Sequence, residues 1–348
     1  MNRKPIALIL TDTHLKPDNT SLVEDIFNQA IDKCHELNIN TILHGGDWFT
    51  SRTGQPLAVL KATQRILSKL EREQIKTFII PGNHDKTDQD SEDSFLDVFN
   101  SKSFEVIRDY DYIDIYEDDK KEENDITVHL LPYFKESGTY LERLKKIEPI
   151  VGRNILITHI AINGVLNNDG SKQTNAIPVS EFSKFDKVCV GHYHNQQQFE
   201  NIHYIGSAYQ SNYGEDDHKG FTILYNDGSI EFVQSNFPKF IKYEIDVSEL
   251  TSEDILNLEK EKKNSNDNIR IKLKGDEAKV KSFDTSLLTQ IGIDYELAHK
   301  SVSEPLSDEE VSDTITHNKE SILKAFKAFC EKNKITDINY GWKKLERI

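Results

Sequence analysis

The chain has 348 residues, 36% of them hydrophobic, and a formal net charge of -16, so it can bury at least one full core and its length favours two domains over one. That charge argues against holding nucleic acid through a broad basic surface, because non-specific affinity comes mainly from Lys and Arg neutralising phosphates. No run of about 18 apolar residues occurs, so no membrane span is expected, and Cys34, Cys189 and Cys330 are odd in number, widely spaced and in apolar contexts, which reads as buried thiols of a reducing cytoplasm (a host's, if the source is viral) and not as a disulfide frame or zinc site.

Arg3 and Lys4 before the apolar run 6–10 superficially resemble a signal peptide, but the run is shorter than an h-region and leads into Asp12, so it reads as the first strand, buried on both faces. Asp12 and His14 fall in the loop at its end. Ser21 and Glu24 form a capping-box signature, and Val23, Ile26, Phe27, Ala30, Cys34 and Leu37 recur at helical spacing, which predicts a helix over the sheet. Residues 39–43 form the next strand and deliver His44-Gly45-Gly46-Asp47 to the same edge. Pro56 opens a second helix with Leu60, Ile66, Leu67 and Leu70 on its apolar positions. Residues 75–80 form a third strand, which leads into Pro81-Gly82-Asn83-His84-Asp85. Strand, helix, strand, helix, strand implies parallel pairing with right-handed crossovers, so these loops share the edge where open α/β sheets bind ligands.

Farther on, Phe95, Leu96, Val98 and Phe99 suggest a short helix, followed by strands near residues 104–107, 112–116 and 126–131. The nearly all-charged run 117–125 reads as a solvated turn or surface insertion. Strands at 154–158 and 187–190 end at His159 and at His192 and His194, and Asn226-Asp227-Gly228 marks a hairpin between strands 221–225 and 229–233. The first domain, 1–236, is therefore expected to be α/β, two packed sheets between helices. Within 237–304 the pattern changes: Ile241, Tyr243, Ile245 and Val247 alternate with Lys242, Glu244 and Asp246, a strand with one wet face, and two further strands alternating with helix candidates complete a small α+β unit.

Asp12, His14, Asp47, Asn83, His159, His192 and His194 each follow one of five apolar strands. Imidazole, carboxylate and amide without thiolate suit manganese, iron or zinc, whereas magnesium would prefer oxygen throughout. Seven ligands are too many for one ion. If Asp47 bridges, two ions about 3.5–4 Å apart can clamp a phosphate and ionise a water for in-line attack. His84 is then surplus to the ligand count and faces the leaving oxygen as proton donor or charge stabiliser. Taken singly, each motif also has a plainer reading: Asp caps turns readily. Five in order, each after a strand, outweigh it. His35, His44, His129, His203, His218, His299 and His317 read as ordinary polar or core residues.

Asp12-x-His14, Gly46-Asp47, Gly82-Asn83-His84-Asp85, His159 and Gly191-His192-x-His194 resemble the five signature blocks of the calcineurin-like metallophosphoesterases. Gly206-Ser207, Gly214-Glu215 and Lys219-Gly220-Phe221 resemble the block that follows in SbcD-type and Mre-type DNA repair nucleases and their large-phage relatives, and the second unit is similar to their DNA-capping domain. The resemblance implies a first ion on Asp12, His14, Asp47 and His194, a second on Asp47, Asn83, His159 and His192, and a catalytic His84. It also implies a homodimer through residues 57–70 and 91–99, and manganese-dependent exonuclease or endonuclease action on DNA, coupled to an SbcC-like ABC ATPase. Any ATP hydrolysis then comes from the partner, since the chain has no Gly-x-x-x-x-Gly-Lys-Ser/Thr loop. Thr50 departs from the pattern, standing where relatives often carry Asp or His. A protein phosphatase fits less well, lacking Asp-Arg-Gly after Gly-Asp; a nucleotide or cyclic-nucleotide phosphodiesterase is the alternative, though it leaves the second unit unexplained.

Residues 305–348 read as an acidic linker and a helical tail from about Asn318, with Ile322, Phe326, Phe329 and Cys330 on one face. That face either packs on the second domain or lies in a groove of the ATPase partner.

Overall fold

The computed structural model describes residues 3–99, 101–115, 125–167 and 170–299. The expected linker and tail, and nearly all of the charged run 117–125, lie outside the described residues. The chain proceeds through β1 (Pro5–Leu10), α1 (Thr20–Leu37), β2 (Thr41–His44), α2 (Leu57–Arg72), β3 (Lys76–Ile79), β4 (Phe104–Val106), β5 (Asp111–Ile115), β6 (Ile126–Leu131), α3 (Tyr140–Lys146), β7 (Arg153–His159) and β8 (Lys187–Gly191). It continues with β9 (Gln197–Phe199), β10 (Ile202–Tyr204), β11 (Gly220–Tyr225), β12 (Ile230–Gln234), β13 (Phe240–Asp246), α4 (Ser252–Asn264), β14 (Asn268–Gly275), α5 (Glu277–Ser282), α6 (Ser286–Gln290) and β15 (Asp294–His299).

Two six-stranded mixed sheets, ordered β12-β11-β1-β2-β3-β4 and β5-β6-β7-β8-β10-β9, make the two-sheet α/β architecture expected from the sequence. The apolar run of β1 shows why. Ala7 and Ile9 enter the core between the sheets with Leu43, Ile155, Ile157 and Cys189. Leu8 and Leu10 face the other way, against Ile26, Phe27, Ala30, Ile66 and Leu70 of α1 and α2. Both faces are thus dry, which is why no polar alternation marks this strand. Among the described residues no helix is long and apolar enough to cross a membrane.

Five elements differ from the sequence reading. α1 starts at Thr20, so Ser21 lies inside the helix and the Ser21–Glu24 capping box does not form; its N-cap is Asn19, whose side chain makes no capping bond. The short helix near residues 95–99 is a single 3-10 turn, Phe95–Val98, closed by a Ser94–Asp97 capping box. α3, β9 and β10 were not anticipated: seven and three residues are too few for periodicity to show, and the β9–β10 turn has Glu200 at φ 50 in place of a glycine.

A third, all-parallel sheet, β13-β14-β15, closes over Leu258, Ile269, Ile271, Leu273 and Leu288. It is joined to the first part by Gln210, whose side chain accepts from Phe240 N at 2.8 Å and donates to Phe240 O at 3.2 Å, and by Arg270 stacked on the Tyr213 ring.

Candidate active site

β1, β2 and β3 run parallel in one sheet, and β7 and β8 in the other, so their C-terminal ends present five loops at one edge. The first two loops are zipped together by backbone bonds from Asp12 N to Gly46 O (2.9 Å), His14 N to Asp47 O (3.0 Å) and Leu15 N to Trp48 O (2.7 Å). Asp12, His14, Asp47 and His192 all have positive φ, between 42° and 92°. For residues with a Cβ such backbone costs about 1–3 kcal/mol each and persists only where the surroundings over-determine it. Gly82 is required by close approach: a Cβ there would lie 2.2 Å from Asp47 Oδ1. Gly191 is hemmed in likewise, its Cβ falling 2.7 Å from His159 Nδ1.

These loops bring together all seven residues singled out as ligands. His14 Nε2 lies 3.0 Å from His194 Nε2, 3.7 Å from Asp12 Oδ1 and 3.5 Å from Asp47 Oδ2. On the other side of Asp47, His159 Nε2 is 3.4 Å from Oδ2 and 3.1 Å from Asn83 Oδ1, which is itself 3.0 Å from His192 Nδ1. Asp47 therefore stands between two groups, with Asp12, His14 and His194 on one side and Asn83, His159 and His192 on the other. His159 Nδ1 donates to Gly45 O and His194 Nδ1 to Glu215, so the Nε2 atoms of both rings point inward.

The charge balance is unusual for a buried site. Burial pushes the Asp12 and Asp47 carboxyls up, but neighbouring imidazoles more than offset this and hold both well below the usual carboxylate range. Burial also pulls His159 down, yet the adjacent Asp47 carboxylate drives it up to about 9. His192, desolvated and beside His159, falls to about 4. Among the described residues only imidazoles lie within ion-pair reach of Asp12 and Asp47; no lysine or arginine neutralises them. Two ionised carboxylates with converging imidazole and amide donors are the chemistry that accommodates divalent cations.

The model of the calcineurin-like phosphoesterase family matches residues 7–196, more than half of the chain. The chain belongs to the calcineurin-like phosphoesterase family. It is 28% identical over 200 residues to the DNA double-strand break repair protein Mre11 of Saccharolobus solfataricus, covering 54% of this chain and 49% of that protein. It is 23% identical over 255 residues to the putative phosphoesterase 244L of Invertebrate iridescent virus 6, covering 70% of this chain and 83% of that one. To exonuclease subunit 1 of Enterobacteria phage T4 it is 25% identical over 219 residues, 61% of each chain. The chain thus spans about half the length of the archaeal relative and under two thirds of the phage one. Metallophosphoesterases use a dinuclear metal site, and the clusters Asp12, His14, His194 and Asp12, Asp47, His159 are candidate ligand groups here.

In this metallophosphoesterase His84 also lies near His14 and Asp47, but both its ring nitrogens are engaged elsewhere. Nδ1 donates to Thr50 O at 2.5 Å, and Nε2 accepts from the Arg52 guanidinium at 3.0 Å. Thr50, the departure noted in the sequence, therefore aims His84 through its carbonyl while its hydroxyl donates to His14 O. The ring is neutral, its pKa lowered chiefly by burial. A cleft of about 640 Å³ opens beside these groups, bounded by Lys16, Arg52 and Tyr209 on one side and by Phe240, Asn266 and Asn268 of the β13–β15 unit on the other.

A supporting layer was only partly legible in the sequence. Glu215, quoted there only as part of a block, accepts from His194 Nδ1 at 2.8 Å and from Ser211 and Asn212; burial opposes its ionisation, but the His194 bond holds it down at about 2. Replacing it with glutamine removes a charged acceptor that fixes the His194 ring, a loss that typically weakens a metal site by about 10–100-fold. Divalent-metal titration of Glu215→Gln should show one weakened ion; two unchanged ions would make Glu215 a purely structural residue. Asp85 accepts from the backbone N–H of Trp48, Phe49 and Gly82, tying the second loop to the third, and burial together with Asp47 pushes it up to about 7.

His44 is a core residue, as expected, yet it also joins two loops: its Nδ1 accepts from Gly46 N and its Nε2 bonds Thr13 Oγ1. Burial pushes its pKa from 6.5 down to about 3. A depressed pKa means that the unfolded chain takes the proton first. The stabilisation is therefore complete above pH 6.5 and is lost towards pH 3, with a slope approaching about 1.4 kcal/mol per pH unit. Urea unfolding of chelated protein at pH 7 and pH 5 should show a larger drop for wild type than for His44→Gln; equal drops would contradict the assignment.

Proposed function

We propose that this metallophosphoesterase is a two-metal DNA nuclease of the SbcD and Mre type, hydrolysing phosphodiester bonds with manganese as the favoured metal. The observation that carries the reading is the placement of Asp47 between two groups of N and O donors at the floor of a cleft, with His84 beside them but bonded elsewhere. Asp12, His14, Asp47 and His194 would hold one ion, and Asp47, Asn83, His159 and His192 the other. Bound there, two divalent ions supply charge for the phosphate and an ionised water for in-line attack. The protein's own part is orientation: the Thr50 carbonyl fixes the His84 ring with Nε2 towards the cleft, where it first accepts a proton or orients water and, once protonated, donates to the leaving oxygen.

Relatives named as a double-strand break repair protein and an exonuclease subunit support DNA as substrate. Asn266, Asn268 and Phe240 would form the wall that meets the nucleic acid, giving the second unit a capping role. A homodimer through α2 and the turn Phe95–Val98 is part of the proposal, supported by Leu57 and Val98, which are 66% and 74% exposed; so is an SbcC-like ATPase partner. One observation favours a second reading, a nucleotide or cyclic-nucleotide phosphodiesterase: among the described residues only Lys16 and Arg52 supply lysine or arginine charge to the cleft, few contacts for a long polyanion. Purified protein incubated with labelled linear duplex DNA, single-stranded DNA, a cyclic mononucleotide and bis-p-nitrophenyl phosphate, with and without manganese, separates the two. Manganese-dependent cleavage of DNA supports the nuclease; hydrolysis confined to the small esters overturns it in favour of the alternative.

A further inference from the structure

A second groove, of about 600 Å³, lies where the two sheets part at their β9 and β12 ends. Alternation along the strands makes its composition unexpected. Cys189 of β8 and Ile205 just after β10 belong to the apolar core between the sheets. Two residues earlier on each strand, and hence on the same face, stand Lys187 and His203. Continuing that core would call for apolar side chains here. Instead Lys187 Nζ donates to His203 Nε2 at 3.3 Å, and among the described residues no carboxylate pairs with Lys187. Across the groove, β12 contributes Phe232, whose ring lies tilted against His218 with centroids 4.1 Å apart. The side chains of Gln198 and Thr222 add hydrogen-bonding groups to the wall.

We infer that this groove is a ligand site for a small anion carrying a planar ring, the chemistry of a nucleoside monophosphate, with the anionic group between Lys187 and His203 and the ring against His218 and Phe232. The volume is in the range of small-molecule clefts. An anion there pairs with the Lys187 ammonium, whose hydrogen-bond partner among the described residues is His203 alone, and a ring extends an aromatic pair already formed. The groove also adjoins the metal loop: Gln196, on its wall, follows His194 by two residues and packs against Gly206. The inference does not depend on the substrate proposed above.

The test is calorimetric titration of the full metal-loaded chain with adenosine monophosphate, and in a second arm with a short 5′-phosphorylated oligonucleotide carrying non-hydrolysable linkages. Lys187→Gln and His203→Gln should each weaken a saturable site by tenfold or more, while hydrolysis of bis-p-nitrophenyl phosphate stays within about twofold of wild type. Lys187→Arg, which keeps the charge, should retain binding within about threefold. Loss of binding for the mononucleotide identifies a free nucleotide as ligand; loss seen with the oligonucleotide alone identifies a strand end in the same groove. Wild-type affinity for both ligands in both glutamine variants would overturn the inference, since binding would then reside at the metals, and so would no saturable binding of either ligand to wild type.

Discussion

Asp47→Ala should abolish hydrolysis and strip metal from the protein. This carboxylate lies 3.5 Å from His14 on one side and 3.4 Å from His159 on the other, so both proposed ions lose the same anionic ligand at once. Removing one electrostatic stabiliser from an active site commonly costs about 10²–10³-fold; the loss of a ligand shared by two ions should exceed that. Asp47 also accepts from the backbone N–H of His84 at 2.8 Å, so the substitution loosens the third loop as well. Asp47→Asn keeps that acceptor, and with it the fold, while removing the charge. Elemental analysis of both variants checks the claim, and two tightly held ions in Asp47→Asn would remove Asp47 from the bridging position.

His84→Ser should have the opposite profile, with metal content unchanged and turnover reduced by about 10²–10⁴-fold, the usual contribution of a positioned acid or base. Neither His84 nitrogen is directed to the candidate ions: one donates to Thr50 O, the other accepts from Arg52. Deleting the ring therefore costs the chemical step and leaves the seven donors in place. Single-turnover rates on bis-p-nitrophenyl phosphate, set beside elemental analysis of the same preparation, read both quantities. A near wild-type rate would make His84 a loop anchor only, and lost metal would make it a ligand.

Much of this arrangement was legible in the sequence because strand order and loop chemistry reinforce one another. The apolar run of β1 followed directly by Asp12-Thr13-His14, and the short run of β3 followed by Gly82-Asn83-His84-Asp85, place chemistry at the end of a buried parallel strand, where topology then gathers it. What escaped lies in contacts between residues far apart in the chain. Tyr209 donates to Thr13 O and also receives a bond from Asn19; no local pattern announces that an asparagine before a helix serves a distant tyrosine instead of its own N-terminus. His44 looked ordinary because a buried histidine is usually just that, and only its two bonds, to Gly46 and Thr13, distinguish it. The β9–β10 hairpin was missed for a different reason: its glutamine-rich first strand and its turn without glycine lack the usual markers.

The most direct test of the account is a metal titration of chelated, full-length protein with manganese, reading bound metal and phosphodiesterase activity on the same samples. Two ions per chain, with activity returning only as the second site fills, is the result expected from donors gathered on both sides of Asp47. Activity persisting in excess chelator, or full activity with a single bound ion, would contradict it.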